Sequence, residues 1–135
     1  MQKISRLSPK DLELIEMAKT HAKKCYRDGI TSMATVLRTK SGSTYTGINV
    51  KYKKVWKCIC AERVSIAKAI EAGESEFDTI VTVKYSHEEN DYVVMNMCGE
   101  CRQIAVFYPT LQVICGKNGE AVSVSVEKVF PYPYS

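Results

Sequence analysis

Cys60-Ala61-Glu62 and Cys98-Gly99-Glu100-Cys101 constrain this chain more than any other feature in it. Cys98 and Cys101 are three apart, so on a helical turn both side chains face one way. Cys60 lies 38 positions earlier, at the start of a predicted helix from about Cys60 to Ala72, with Val64, Ile66, Ala67 and Ile70 as its apolar residues and Gly73 as its stop. Both stretches read as first turns of helices, where free N–H groups and the helix dipole favour a thiolate. A fold that serves both must bring two helix N-termini to one point. Three thiolates there can hold a zinc ion with one coordination position open, and Glu62 can carry protons for an activated water.

Other readings of these residues stay open at this level. Cys98-Gly99-Glu100-Cys101 has the spacing of a thioredoxin-type redox pair, although that assignment leaves Cys60 and Glu62 unused. Cys58, Cys60, Cys98 and Cys101 together can close a structural zinc site, because four thiolates fill the tetrahedron and abolish catalysis. Glu62 alone is an ordinary acidic residue of a first helical turn. Arg63 can donate to the sulfurs and offset the negative charge of three thiolates, or can sit on an exposed helix face. Cys25 and Cys115 fall on apolar faces and are expected in the core.

The six cysteines matter only in relation to compartment. No apolar run approaches membrane-spanning length and the N-terminus lacks the apolar block of a signal peptide, so the expected location is cytoplasmic. In a reducing compartment, thiols indicate metal or catalysis rather than disulfides. The net charge of +4 is modest, with one cluster at Lys51, Lys53, Lys54 and Lys57. That cluster is a solvated basic loop or a funnel for an anionic or polynucleotide substrate, and without an interleaving of aromatic and basic residues across the chain nucleic acid is not the expected partner. A non-catalytic zinc domain binding nucleotide or RNA through these lysines is the alternative from another class.

The 135 residues suit a single domain, residues 1–135. Ser8-Pro9-Lys10-Asp11 is a helix start, followed by Leu12, Ile15, Ala18, Ala22 and Cys25 as one apolar face, with an end near Asp28-Gly29. Ser32 to Arg38 and Thr44 to Val50 read as a hairpin, and residues 51–58 as basic and irregular. Thr79 to Val83 reads as a buried strand and Tyr92 to Met95 as a short apolar run. A third helix starts at Cys98 and ends before Pro109. Leu111 to Cys115 and Ala121 to Ser125 flank a turn at Gly116-Lys117-Asn118-Gly119, and the tail is aromatic and stiffened by proline. Helix, two strands, helix, strand, helix, two strands predicts an α/β protein whose mixed sheet has helices on both faces.

With these residues in place the chain resembles the cytidine deaminase superfamily, and within it the blasticidin S deaminases, over nearly its whole length. Cys60-Ala61-Glu62-Arg63 and Cys98-Gly99-Glu100-Cys101-Arg102-Gln103 match the family's two zinc motifs, with Cys-x-Glu where many members have His-x-Glu. Thr46-Gly47-Ile48-Asn49-Val50 is similar to the family's strand ending in a substrate-binding Asn, 11 positions before Cys60. Asp11-Leu12-Glu13-Leu14, Arg38-Thr39-Lys40-Ser41-Gly42 and Phe77-Asp78-Thr79-Ile80-Val81 resemble the blasticidin S branch.

The resemblance implies a three-layer α/β/α fold with a five-stranded mixed sheet. It implies one zinc per chain on Cys60, Cys98 and Cys101, with Glu62 as proton shuttle. Asn49, Ser32 and Tyr134 fall at substrate-contacting positions, and the family's assembly is a homotetramer. The implied activity is hydrolysis of the 4-amino group of a cytosine nucleoside, blasticidin S or a related modified nucleoside, with ordinary cytidine or deoxycytidine deamination as the alternative. Two departures bear on substrate: Met97 stands where the family usually has Pro, and Lys51 stands where cytidine deaminases carry a ribose-binding Glu. Replacing an acceptor by a cation predicts weak activity on plain cytidine.

Overall fold

Ser8 begins the first helix by the chemistry its position demands. Its hydroxyl accepts from the Asp11 backbone N–H at 3.2 Å, and the Asp11 carboxylate accepts from the Ser8 N–H at 3.1 Å. This reciprocal pair satisfies two of the donors a helix start leaves free. The computed structural model describes residues 4–52 and 55–135, with the side chains of 4–5, 52 and 55–58 outside the description. In chain order the elements are β1 (Ile4–Ser5), α1 (Pro9–Cys25), β2 (Met33–Thr39), β3 (Thr44–Ile48), β4 (Val50–Tyr52), β5 (Val55–Ile59), α2 (Ala61–Glu71), β6 (Phe77–Ser86), β7 (Asp91–Met95), α3 (Gly99–Ala105), β8 (Gln112–Lys117), β9 (Glu120–Ser125) and α4 (Val126–Val129).

The main sheet runs β1-β9-β8-β6-β2-β3, with β7 also pairing β6. It is mixed: β6 and β8 are parallel, and the other pairs are antiparallel. The five strands expected from the sequence are all present, and the short β1 and β7 extend them. β8 pairs with the start of β6 at Thr79 and Ile80, whereas β7 pairs with its end from Thr82 to Ser86. Asn96 closes the fork between them, donating to the Gly116 carbonyl at 3.1 Å and accepting from the Gly116 N–H at 2.9 Å. The β8–β9 hairpin turns through Asn118 and Gly119, both at positive φ (52° and 79°), as a tight two-residue turn requires.

Strand alternation divides the core. Val36, Val81, Val83 and Ile114 point to one face and pack on Leu14, Ile15 and Ala18 of α1. Leu37, Ile80 and Val113 point to the other and pack on α2 and α3 through Ile66, Ala69, Cys101 and Ala105. The result is the three-layer α/β/α arrangement with helices on both faces. Among the described residues no helix is long and apolar enough to cross a membrane.

Three local expectations are corrected. Leu12 is 53% exposed and Leu14 takes its place against the sheet, so the buried stripe of α1 is shifted. In α2 the buried residues are Ala61, Glu62, Ser65, Ile66 and Ala69, while Ile70 is 51% exposed. Small side chains let that helix lie close to β3, which sets its rotation more strongly than its larger apolar residues do. Residues 51–58 were expected to be irregular; β4 and β5 pair across them, Val50 with Ile59 and Tyr52 with Val55. Lys53 and Lys54 lie outside the described residues, as do the side chains of Lys57 and Cys58. Lys51 is exposed.

Candidate metal centre and active site

Two helix starts converge as the cysteine spacing demands. Cys60 is the N-cap residue of α2 and Cys98 that of α3, both with extended backbone. Cys101 follows in the first turn of α3 and is fully buried. The Cys60 and Cys98 sulfurs are 3.6 Å apart and those of Cys98 and Cys101 3.5 Å apart. All three lie within 4.8 Å of one another, the one such group among the described residues. Zinc–sulfur bonds of about 2.3 Å in a tetrahedron separate sulfurs by roughly 3.8 Å. The three thiols therefore fit a divalent ion with little rearrangement.

The electrostatics favour a cation at this point. Burial pushes the Cys101 thiol well above its usual range, and the Glu62 carboxylate adds to the shift. Burial likewise raises Cys60. At Cys98 burial also acts upward, but the Cys101 N–H, the Cys101 and Cys60 thiols and the Glu100 N–H together outweigh it and leave that thiol lowered. A buried sulfur beside a carboxylate becomes a thiolate only when positive charge is supplied. Arg63 supplies part of it. Its Nη2 lies 3.9 Å from the Cys60 sulfur, and its Nη1 pairs with Glu100 at 3.0 Å, joining the first turns of α2 and α3. Its Nε is buried without a hydrogen-bond partner among the described residues.

Glu62, only 5% exposed, faces the sheet. Burial pushes its carboxyl above the ordinary range; its own backbone N–H, the Thr82 and Thr35 hydroxyls and Arg63 act the other way. Thr35 and Thr82 are opposed in the β2–β6 register and their hydroxyls are 2.7 Å apart. The sequence reading missed this pair. Its available signal was a hydroxyl at alternate positions of two otherwise apolar strands. Gly47 was passed over as well, although α2 depends on it: a Cβ there would collide with the Ala61 carbonyl oxygen and lie 2.7 Å from the Ser65 nitrogen. Only glycine lets the helix carrying Glu62 approach β3 so closely.

Asn49 is buried after β3, and its Oδ1 accepts from the Thr31 hydroxyl at 2.9 Å, the Ser32 N–H at 3.0 Å and the Met33 N–H at 2.9 Å. Three donors on one oxygen fix the amide and leave its NH2 group as the free end. Ser32 is thus drawn to Asn49 through its backbone. Met97 is buried in the core beneath α3, and its carbonyl accepts from Arg102 Nε at 2.8 Å, which holds the entry to Cys98. Tyr134 is not brought to the cysteines by its side chain, which is 87% exposed. Its backbone is held instead: Gln103 of α3 donates to the Tyr134 carbonyl at 2.9 Å and accepts from its N–H at 2.8 Å.

Residues 8–117 match the family described as the cytidine and deoxycytidylate deaminase zinc-binding region. A blasticidin-S deaminase from Bacillus cereus is 31% identical over 137 residues, covering 98% of each chain. A probable cytidine deaminase from Dictyostelium discoideum is 30% identical over 104 residues, 76% of this chain and 68% of that one. The crystal structure of cytidine deaminase from Burkholderia pseudomallei superposes with a TM-score of 0.73 at 28% identity, covering 95% of this chain and all of that one. The chain belongs to the cytidine and deoxycytidylate deaminase zinc-binding family.

Proposed function

We propose that this family member is a zinc-dependent hydrolytic deaminase that replaces the 4-amino group of a cytosine nucleoside by a carbonyl and releases ammonia. The observation that carries the reading is the buried Glu62 carboxyl placed beside three convergent thiols. Cys60, Cys98 and Cys101 would hold the zinc, one per chain, with Arg63 offsetting their charge. When bound, zinc supplies the acidity that lets water act as a nucleophile near neutral pH. Glu62 Oε would take one proton of the attacking water and pass it to the ring nitrogen N3, and would carry the water's second proton to the departing amine. Its raised pKa suits both directions of transfer. The Asn49 NH2 group, held by three donors on its oxygen, donates to the sugar, and Ser32 and the Tyr134 segment border the substrate.

Cytidine or deoxycytidine is the first reading of the substrate, supported by the Dictyostelium and Burkholderia relatives. Blasticidin S is the second. The match along 98% of both chains favours it, as does Lys51 where a sugar-binding acceptor was expected. A homotetramer belongs to the same proposal. Ile59, Val64 and Ala67 border a cleft of about 930 Å³ that also reaches Cys60 and Cys98, and Ile59 is 53% exposed. A single-chain mass by light scattering would end that part. Loss of the cytosine ultraviolet band on cytidine, deoxycytidine and blasticidin S, with Glu62→Ala as control, tests the reaction. Turnover by the Glu62→Ala protein at the wild-type rate would refute it, and the ranking of substrates decides between the two readings.

A further inference from the structure

Alternation along β6 puts Ile80, Thr82 and Lys84 on the face that meets α2 and α3, since Val81 and Val83 face α1. Thr82 is buried beside Glu62. Lys84 is therefore one pleat further along the same floor, about 7 Å from Thr82 along the strand. Its row is Met33–Lys84–Val93, next to the Thr35–Thr82–Met95 row under Glu62. The helices stop short of this outer row: Lys84 is exposed in mid-strand and Val93 is 57% exposed.

Lys84 lines a cleft of about 380 Å³ together with Thr31, Ser32 and Lys51. Thr31 and Ser32 are the residues bonded to the Asn49 oxygen, so the cleft adjoins the proposed sugar contact. Neither Lys51 nor Lys84 takes part in an ion pair among the described residues. Asp28, Glu88 and Glu89 border the cleft too, from the turns at 28–30 and 87–90, yet among the described residues none forms an ion pair with either lysine. Lys51 and Lys84 thus border one cleft with neither ammonium held in an ion pair among the described residues, at the end of the floor away from the cysteines.

We infer that Lys84, with Lys51, is a specificity-determining residue that engages an anionic substituent, carboxylate or phosphate, on the sugar side of a cytosine-type substrate. The inference rests on the proposed deaminase reading. A flexible ammonium binds either anion as a point charge, so the chemistry of the site is negative charge rather than a planar fork.

The test compares kcat/KM of the purified full chain on cytidine, cytidine 5′-monophosphate and a cytidine 5′-carboxylate. Variants are Lys84→Ala, Lys84→Glu and Lys84→Arg. The ratio of anionic to neutral kcat/KM falls about tenfold or more in Lys84→Ala, carried by KM, as expected for one lost charge-assisted contact. It falls further in Lys84→Glu and is kept in Lys84→Arg. The anion whose ratio falls identifies the source of the charge. A ratio unchanged for both anions in Lys84→Ala and Lys84→Glu overturns the inference. If none of these substrates is turned over, nor blasticidin S, the deaminase reading fails; the Kd of cytidine 5′-monophosphate relative to that of cytidine, by calorimetry, then judges Lys84 by the same ratio.

Discussion

The two faces of the sheet are made by the same strands and do opposite things. On the α1 side, Leu14, Ile15, Ala18, Val36, Val81, Val83 and Ile114 form an apolar layer, and the buried Asp11 carboxylate at the start of α1 is paired with Arg38 at 3.3 Å. On the α2 and α3 side the pleat interrupts an apolar cluster with Thr35, Thr82, Glu62 and three cysteines. One residue's shift along a strand separates the two environments. A buried carboxyl and three crowded thiols are unfavourable in themselves. The α1 layer, together with the apolar residues around the site itself, supplies the hydrophobic stabilisation that lets that face hold them.

If that division is right, stability and chemistry separate under mutation. Glu62→Gln gives the largest effect: turnover falls about 10²- to 10⁴-fold, the usual contribution of a positioned acid–base group. Its thermal midpoint stays level or rises, because a buried carboxyl is replaced by a neutral amide of the same size. A large drop in midpoint would mean that Glu62 supports the fold. Leu14→Ala on the other face does the reverse, costing about 2–5 kcal/mol in urea unfolding, as buried Leu truncations do. Its folded fraction keeps the wild-type zinc content by atomic absorption; lost zinc would show that the faces are not independent.

Gly47→Ala acts at the contact between β3 and α2. Forcing a methyl group against Ala61 and Ser65 costs about 1–3 kcal/mol of overpacking, and displaces the turn that carries Cys60 and Glu62. Zinc content per folded chain should fall along with stability. Unchanged stability would mean that α2 moves away at no cost.

The smallest effect lies at the far end of α2. Ser41, Thr39 and Tyr45 donate to the Glu74 carboxylate at 2.9 to 3.1 Å, and the Ser41 hydroxyl in particular holds it below the ordinary carboxylate range. Its contribution is complete above the unfolded carboxylate pKa, about 4.3. It is lost as pH falls through the lower folded value, because the unfolded chain takes up its proton first. Thermal melts from pH 7 to 3 should show a shallower acid limb for Glu74→Gln than for the wild type. Parallel limbs would remove Glu74 from the account.

The cysteine motifs, the Ser8 cap, the hairpins and the order of elements were legible because each is a local pattern with a local cause. The rotation of α2 was not. Its sequence shows Ile70 as an apolar helix residue, but Gly47 and the small Ala61, Ser65 and Ala69 decide which side meets the sheet. The Thr35–Thr82 pair escaped because it joins positions 47 apart, through a register that only strand pairing sets. Lys84 in sequence is one lysine among many. Its place on the floor one row beyond Thr82 follows from the end of helix coverage, which no spacing in the chain expresses.

The sequence by itself determined that two helix starts bearing thiols must meet and that a carboxyl group accompanies them, since residue type and short spacing suffice for both. Tertiary structure alone decided how deeply Glu62 is buried, which hydroxyls face it, and which lysines open onto the same floor. Those depend on the register and close approach of segments far apart in the chain, which only the packed sheet and helices bring together.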